Sequence, residues 1–145
     1  MGHVAFFTTA EEWTRAFPAF ASLRPQMSLA AFLNNREHCL AGGYSLLGMI
    51  VDDVVVCVAG ISVRPHVECE RQLEIEDFSA HPSFKRRGYG RELLFWIIDY
   101  AKQQGCFRLK LDSGNARQDA HRFYEAAGLA RTGFRFEKRF SARAS

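Results

Sequence analysis

The sequence has few cysteines and prolines and no long apolar run. Its 145 residues include four cysteines and four prolines. No apolar stretch approaches the roughly 20 residues that a membrane-spanning helix needs, and the amino terminus lacks the basic and then apolar segments of a secretory leader. We therefore expect a protein that works in the cytoplasm and has no membrane partner.

Metal-binding and disulfide patterns are also missing. The cysteines are irregularly spaced, unlike those of a disulfide framework, and one of them lies in an apolar run where a buried thiol is usual. The five histidines show no ligand-like spacing, so we expect no metal ion. Free thiols are therefore predicted at Cys39, Cys57, Cys69 and Cys106.

The net charge is small. With 19 basic and 16 acidic residues it is +3, and 48% of the residues are hydrophobic. These values are typical of one globular domain, here residues 1–145. Much of the positive charge lies in one short segment, which favours a small anionic ligand over nucleic acid. A basic nucleic-acid-binding domain is the weaker alternative.

That basic segment, residues 85–91, reads KRRGYGR. Alternation over residues 72–80 predicts a strand before it, and an apolar stripe from Leu93 to Ala101 predicts a helix after it, ended by Gly105. Glycine lets backbone N–H groups approach an anion, and a helix N-terminus attracts negative charge. The segment therefore predicts a pyrophosphate-binding loop. A basic turn that only caps the helix is the alternative.

Two adjacent carboxylates, Glu76 and Asp77, interrupt the alternation of the strand at residues 72–80. In a regular strand they would face opposite sides, so that one faces inward. The interruption is also what a β-bulge would produce. A purely structural role at a strand edge is the alternative to a catalytic one.

The rest of the chain predicts strands and helices that form a mixed sheet with flanking helices. A capping box at Thr9 and Glu12 opens one helix, and Ser28 caps a second. Residues 64–70 look like a loop, and a later helix should end at Gly128. Strands are predicted at residues 4–8, 44–51, 54–63 and 107–111, and in a closing segment that contains Phe134, Phe136 and Phe140.

Two segments together resemble the signatures of the GCN5-related N-acetyltransferases (GNAT). The coenzyme A loop of that family reads Arg/Gln-x-x-Gly-x-Gly/Ala, and this sequence has Lys85-x-x-Gly88-x-Gly90, with Lys at the first position. Residues 119–128 resemble the second signature, which contains Tyr124. The resemblance covers about residues 44–140. It implies an α/β (α+β) GNAT fold: a mixed, mostly antiparallel sheet of about six to seven strands with a splayed pair and about four helices.

The same resemblance implies acetyl-CoA as the cosubstrate. Main-chain groups of Phe78 and Ala80 and the side chain of Asn115 would meet the pantetheine arm; a simple turn residue is the alternative for Asn115. The pyrophosphate would be held by Lys85, Arg86, Arg87, Gly88, Tyr89, Gly90 and Arg91.

Catalytic roles are implied as well. Residues 76–78 resemble the Glu-Asp-Phe segment of spermidine/spermine acetyltransferases, in which the Glu is the base, so Glu76 is the first candidate and Asp77 the second. Tyr124 would be the general acid, with a packed core aromatic as the alternative.

The family resemblance implies direct transfer of the acetyl group to an amine in a ternary complex, and we expect a small-molecule acceptor. Segments 119–124 and 134–138 also resemble aminoalkylphosphonate acetyltransferases, but these belong to the cofactor half of the fold and say little about the acceptor. A non-catalytic acyl-CoA-binding module is the alternative function, and a homodimer is left open.

Overall fold

A computed structural model describes residues 2–113 and 117–140. The chain groups into two compact units, Met1–Leu111 and Asp112–Ser145, which are described separately. The prediction of one domain over residues 1–145 stays a prediction.

The first unit contains a five-stranded sheet in the order β1-β2-β3-β4-β5. Neighbouring strands from β1 to β4 are antiparallel, and β5 is parallel to β4. The sheet is therefore mixed and mostly antiparallel, as predicted, with fewer strands in the described chain than the six to seven expected. The strands are Gly2–Phe7 (β1), Tyr44–Val51 (β2), Val54–His66 (β3), Glu70–Ala80 (β4) and Arg108–Leu111 (β5).

Four α-helices occur in the described residues, as predicted. They are Ala10–Phe20 (α1), Leu29–Ala41 (α2), Tyr89–Gln103 (α3) and, in the second unit, Gln118–Ala126 (α4). Two short 3₁₀ helices, Ala21–Leu23 and Pro82–Phe84, follow α1 and β4. None of the described helices is long and apolar enough to cross a membrane.

The first-unit helices cover both faces of the sheet, as two consecutive residues of β1 demonstrate. Phe7 is buried in the core cluster with Trp13 of α1 and Phe32 of α2. Phe6, its neighbour, has its ring against Trp96 and Tyr100 of α3. Because adjacent side chains of a strand point to opposite faces, α1 and α2 lie on one face and α3 lies on the other.

The predicted helix ends are confirmed. The Thr9 hydroxyl accepts from Glu12 N at 3.1 Å, and Glu12 Oε1 accepts from Thr9 N at 3.0 Å, which is a capping box. Ser28 Oγ accepts from Ala31 N at 3.1 Å. Both α3 and α4 are followed by a glycine with positive φ, Gly105 and Gly128. The N–H groups of each glycine and of the next residue bond back to the last helical turn, as in a Schellman motif.

The segment predicted as a loop, residues 64–70, is mostly strand. β3 continues to His66, β4 begins at Glu70, and Pro65 pairs with Arg71. Proline is tolerated there because β2 begins at Tyr44, opposite Ser62. Beyond Ser62, β3 therefore has no β2 neighbour that would need the missing N–H group.

The closing strand is the other expectation that the structure corrects. Residues 129–140 have no regular secondary structure, and Phe134, Phe136 and Phe140 are 78%, 92% and 90% exposed. Phenylalanine alternates with charged residues here at the two-residue period of a β-strand. A strand also needs a neighbouring strand with which to form hydrogen bonds. Among the described residues none pairs with this segment.

Candidate active site

A β-bulge at Glu76 organises the candidate site. In the β3–β4 pairing, Gly60 lies opposite Asp77 and Ile61 lies opposite Ile75, so Glu76 is an extra residue on β4. The bulge that the sequence indicated is therefore present. It shifts the alternation of side chains by one residue.

Because of this shift, Glu76 and Asp77 face the same side of the sheet and not opposite sides. Ser62 donates a hydrogen bond from its hydroxyl to Glu76, and Tyr44 donates one from its hydroxyl to Asp77 Oδ2 at 2.7 Å. Ser62 and Tyr44 are cross-strand partners, so their side chains share a face. The two neighbouring carboxylates therefore lie together on the α1 face.

Asp77 is paired through both of its oxygens. Tyr44 bonds Oδ2, and Arg24 forms an ion pair with Oδ1. The Asp77 side chain is 16% exposed. Burial raises its pKa above the ordinary value, while the Tyr44 hydrogen bond and the Arg24 charge act in the opposite direction.

Glu76 has a different environment from its neighbour. It is exposed, and its partner is the hydroxyl of Ser62, which is buried. Burial raises the pKa of the Cys39 thiol in α2, and the charges of Glu76 and Asp77 raise it further. Of the two carboxylates, Glu76 is thus the more exposed to solvent.

Tyr44 holds its position because residue 60 is glycine. A Cβ added at Gly60 would overlap the Tyr44 hydroxyl and ring. Burial, followed by the charge of Asp77, raises the pKa of Tyr44 above the range in which tyrosine normally ionises. The hydroxyl therefore stays protonated and donates to Asp77.

Sequence reasoning missed Arg24, Tyr44 and Ser62. Arg24 follows α1 and is separated from Asp77 by 53 positions, and no local pattern marks it. Tyr44 begins a strand that was predicted correctly, but its role depends on Gly60 across the sheet. The only usable signal for Tyr44 was a glycine inside the apolar strand β3, which indicates close approach by another group.

The carboxyl-terminal half of β4 extends beyond its pairing with β5. That parallel pairing runs from Gln72 to Ile75, and the bulge follows directly. Phe78 and Ala80, the predicted pantetheine contacts, lie on this later stretch. Their main chain pairs with β3, and the pairing of β4 with β5 ends before them, at Ile75.

The basic loop at residues 85–91 leads into the N-terminus of α3. Gly88 is the N-cap of α3 with φ +87°, and Arg86 also has a positive φ of 65°. The first intrahelical bond runs from Glu92 N to Gly88 O at 3.1 Å, so Tyr89, Gly90 and Arg91 present N–H groups that have no acceptor within the helix.

The loop is also open. Residues 85–88 are exposed, and a Cβ built at Gly88 would have no atom within 4 Å. Arg87 stacks its guanidinium on Phe84, 5.2 Å from the ring centre. Backbone N–H groups, a helix N-terminus and nearby cations fit a diphosphate group.

Tyr124 belongs to the second unit. It lies in α4 and is 8% exposed. Burial raises its pKa, and the positive charge of Arg117 acts against this rise. The phenol therefore stays protonated at neutral pH. Asn115 lies outside the described residues, and the described residues contain no cluster of His, Cys, Asp and Glu that could hold a metal ion.

Comparison with known proteins identifies the family. Residues 7–129 match the Acetyltransferase (GNAT) family. The chain belongs to this family. The GNAT resemblance predicted from residues 85–91 and 119–128 is thus confirmed, and the match agrees with acetyl-CoA as the cosubstrate of this GNAT protein.

Relatives of this GNAT chain include N-acetyltransferases. It is 30% identical over 125 residues to an uncharacterized N-acetyltransferase, YhdJ, of Bacillus subtilis, covering 86% of this chain and 88% of the relative. It is 35% identical over 65 residues to the aminoalkylphosphonate N-acetyltransferase of Salmonella typhimurium, covering 45% of this chain and 42% of that protein.

Solved structures support the GNAT fold. The aminoglycoside N-acetyltransferase AAC(6')-Iy, solved with CoA, superimposes with a TM-score of 0.77 at 19% identity, covering 98% of this chain and 97% of the other. Glucosamine-6-phosphate N-acetyltransferase of Arabidopsis thaliana gives a TM-score of 0.76 at 15% identity, covering 97% and 99%.

Proposed function

We propose that this GNAT protein transfers the acetyl group of acetyl-CoA directly to the amine of a small molecule, within a ternary complex and with Glu76 as the general base. The observation that carries the proposal is the bulge, which places an exposed carboxylate on the α1 face, next to the end of β4 that continues past β5. We also propose, from the sequence, that it acts in the cytoplasm.

The base is required because an alkylammonium does not attack a thioester. With a pKa of about 10.4, deprotonation at pH 7 costs roughly 4 to 5 kcal/mol. Glu76 accepts this proton, directly or through a water molecule. Ser62 fixes the orientation of the carboxylate through its hydroxyl. Asp77 is less suited because Arg24 and Tyr44 already bond both of its oxygens.

Acetyl transfer follows once the amine is deprotonated. The free amine attacks the thioester carbonyl carbon, the C–N bond forms, the C–S bond breaks and the nitrogen releases its second proton to solvent as the amide forms. The leaving thiolate takes a proton, for which Tyr124 is the proposed donor. Loop residues 85–91 hold the pyrophosphate, and main-chain groups of Phe78 and Ala80, with Asn115, hold the pantetheine arm so that the thioester lies beside the amine.

The small-molecule acceptor is supported by the names of similar proteins. One relative is an aminoalkylphosphonate N-acetyltransferase, and two solved structures with the same fold are acetyltransferases of aminoglycosides and of glucosamine 6-phosphate. These acceptors are all small amines.

Thiol release from acetyl-CoA across a panel of small amines tests the proposal. We expect turnover with at least one amine, and Glu76→Gln should reduce kcat by about 10²- to 10⁴-fold and remove the acidic limb of the pH profile. Glu74→Gln, two residues earlier in β4, is the matched control and should behave like the parent. Acetyl-CoA that raises the Tm without any turnover would instead indicate the non-catalytic binding module.

A further inference from the structure

We propose that Arg24 is a positioning residue of the acceptor site, and that its ion pair with Asp77 fastens the connector between α1 and α2 (residues 24–28) to the catalytic strand beside Glu76. This inference rests on the proposed function. It assigns Asp77 to the structure of the site and not to proton transfer.

Arg24 is held on two sides. Its Nη2 group pairs with Asp77 Oδ1, and its Nη1 group donates to the carbonyl of Phe20 at 3.3 Å. The guanidinium also stacks on the Phe20 ring, 4.4 Å from the ring centre. The arginine side chain therefore joins the end of α1 to the middle of β4.

Asp77 is held equally well. Tyr44 donates to its second oxygen, and the Tyr44 ring fits against Gly60. Gly60 is the β3 partner of Asp77, so the ring crosses β3 to reach the carboxylate. Three separate segments of the chain thus meet at one carboxylate, which is the residue directly after the proposed base.

A second contact fixes the same region. Ser79 of β4 is buried and donates from Oγ to the carbonyl of Ala19 in α1 at 2.6 Å. The Asp77 ion pair and the Ser79 bond are therefore two ties between the end of α1 and β4. The Ser79 tie holds α1 itself. The Arg24 tie is the one that holds the start of the connector.

The connector continues from this tie into α2. The Arg24 carbonyl accepts from Met27 N at 3.0 Å, and Ser28 caps α2. Cys39 of α2 is near Glu76 and Asp77. The connector therefore runs from the Asp77 ion pair, beside Glu76, to the start of α2, and we expect a shift of Arg24 to change where an acceptor amine sits. It would leave the 85–91 loop unchanged.

The experiment measures steady-state kinetics of Arg24→Gln with an amine that the parent chain acetylates. We expect kcat/KM for the amine to fall by at least about tenfold, because small displacements of a bound nucleophile are costly. The KM for acetyl-CoA and the pH profile should stay as in the parent. Arg24→Lys, which retains the charge, should restore part of the activity.

Two further variants separate positioning from general stability. Arg36→Gln is the matched control, since the Arg36 guanidinium donates to the Thr8 carbonyl, just before α1. It should leave acceptor kinetics unchanged. Tyr44→Phe keeps the ring but removes the bond to Asp77, so it should weaken amine kinetics in the same direction as Arg24→Gln.

The possible results distinguish this inference from the proposed function. A parent chain that acetylates no amine contradicts the proposed function, and with it this inference. An active parent with unchanged amine kinetics in Arg24→Gln overturns the role of Arg24 alone. Equal losses in Arg24→Gln and Arg36→Gln, or a shifted pH profile in Asp77→Asn like that of Glu76→Gln, would also overturn it.

Discussion

The ring of Tyr44 fills the space over Gly60 that any other residue at position 60 would need for its side chain. The tyrosine hydroxyl reaches Asp77 from this position. One glycine in the middle of β3 is thus a condition for the hydrogen-bond network next to the proposed base.

Replacing Gly60 by alanine should therefore displace Tyr44. We expect a loss of about 1 to 3 kcal/mol in the free energy of unfolding, which is typical of overpacking, together with weaker amine kinetics. Denaturant unfolding measures the first effect. Gly133→Ala is the control, because a Cβ there meets nothing within 4 Å. A Gly60→Ala protein as stable as the parent would contradict the close packing of this pair.

Replacing Gly88 by valine should abolish acetyl-CoA binding. The backbone at Gly88 has φ +87°, so a side chain adds about 1 to 2 kcal/mol of strain and blocks the approach of a diphosphate to the N–H groups of α3. Calorimetric titration with acetyl-CoA measures the loss.

The control for this substitution is Gly105→Val, at the other end of α3. Gly105 also has a positive φ, +77°, and open space around its Cβ position. The strain should be similar, and acetyl-CoA should bind as in the parent. If both variants bound acetyl-CoA equally well, residues 85–91 would not be the pyrophosphate-binding loop.

Removing the phenolic hydroxyl of Tyr124 should slow turnover without preventing acetyl-CoA binding. Tyr124→Phe retains the buried ring but has no proton to donate to the leaving thiolate, and we expect kcat to fall by about 10²-fold or more. Tyr100→Phe serves as the control. If Tyr124→Phe weakened acetyl-CoA binding as much as turnover, its role would be packing.

The capping box of α1 should contribute a pH-dependent term to stability. Backbone hydrogen bonds from Thr8 and Thr9 lower the pKa of Glu12 below its ordinary value of 4.5. Because the folded state favours the ionised form, the contribution is present above pH 4.5 and is lost as the pH falls through the lowered pKa. The hydrogen bonds of the Glu12 carboxylate are exposed to solvent, so we expect less than about 1 kcal/mol.

Thermal unfolding of the parent and of Glu12→Gln between pH 7 and pH 3 measures this term. The parent should be the more stable protein at pH 7, and the difference should shrink on acidification. A difference that grows at low pH would contradict the assigned sign.

The sequence predicted those parts of the fold that depend on neighbouring residues. The capping box at Thr9 and Glu12, the Ser28 cap and the glycines after α3 and α4 are all local, because their partners lie within a few positions along the chain. The break at Glu76 and Asp77 also indicated the bulge. These features need no knowledge of distant contacts.

The features that were missed depend on distant partners. Arg24 became part of the site only through a carboxylate 53 positions away. The segment predicted as a loop, residues 64–70, is mostly strand. Pro65 is tolerated in it because β3 has no β2 neighbour at that position, and only the register of the sheet reveals this. The closing strand at Phe134 was predicted from its alternation, but alternation does not supply a partner strand.

The extra residue in β4, Glu76, is both the proposed base and the residue that forms the β-bulge. Deleting Glu76 would leave Ile75 and Asp77 as consecutive residues of a regular strand, still opposite Ile61 and Gly60, so the sheet register would survive while the proposed base was lost. An insertion or deletion elsewhere in β4 would instead shift the register of the sheet on one side of the change.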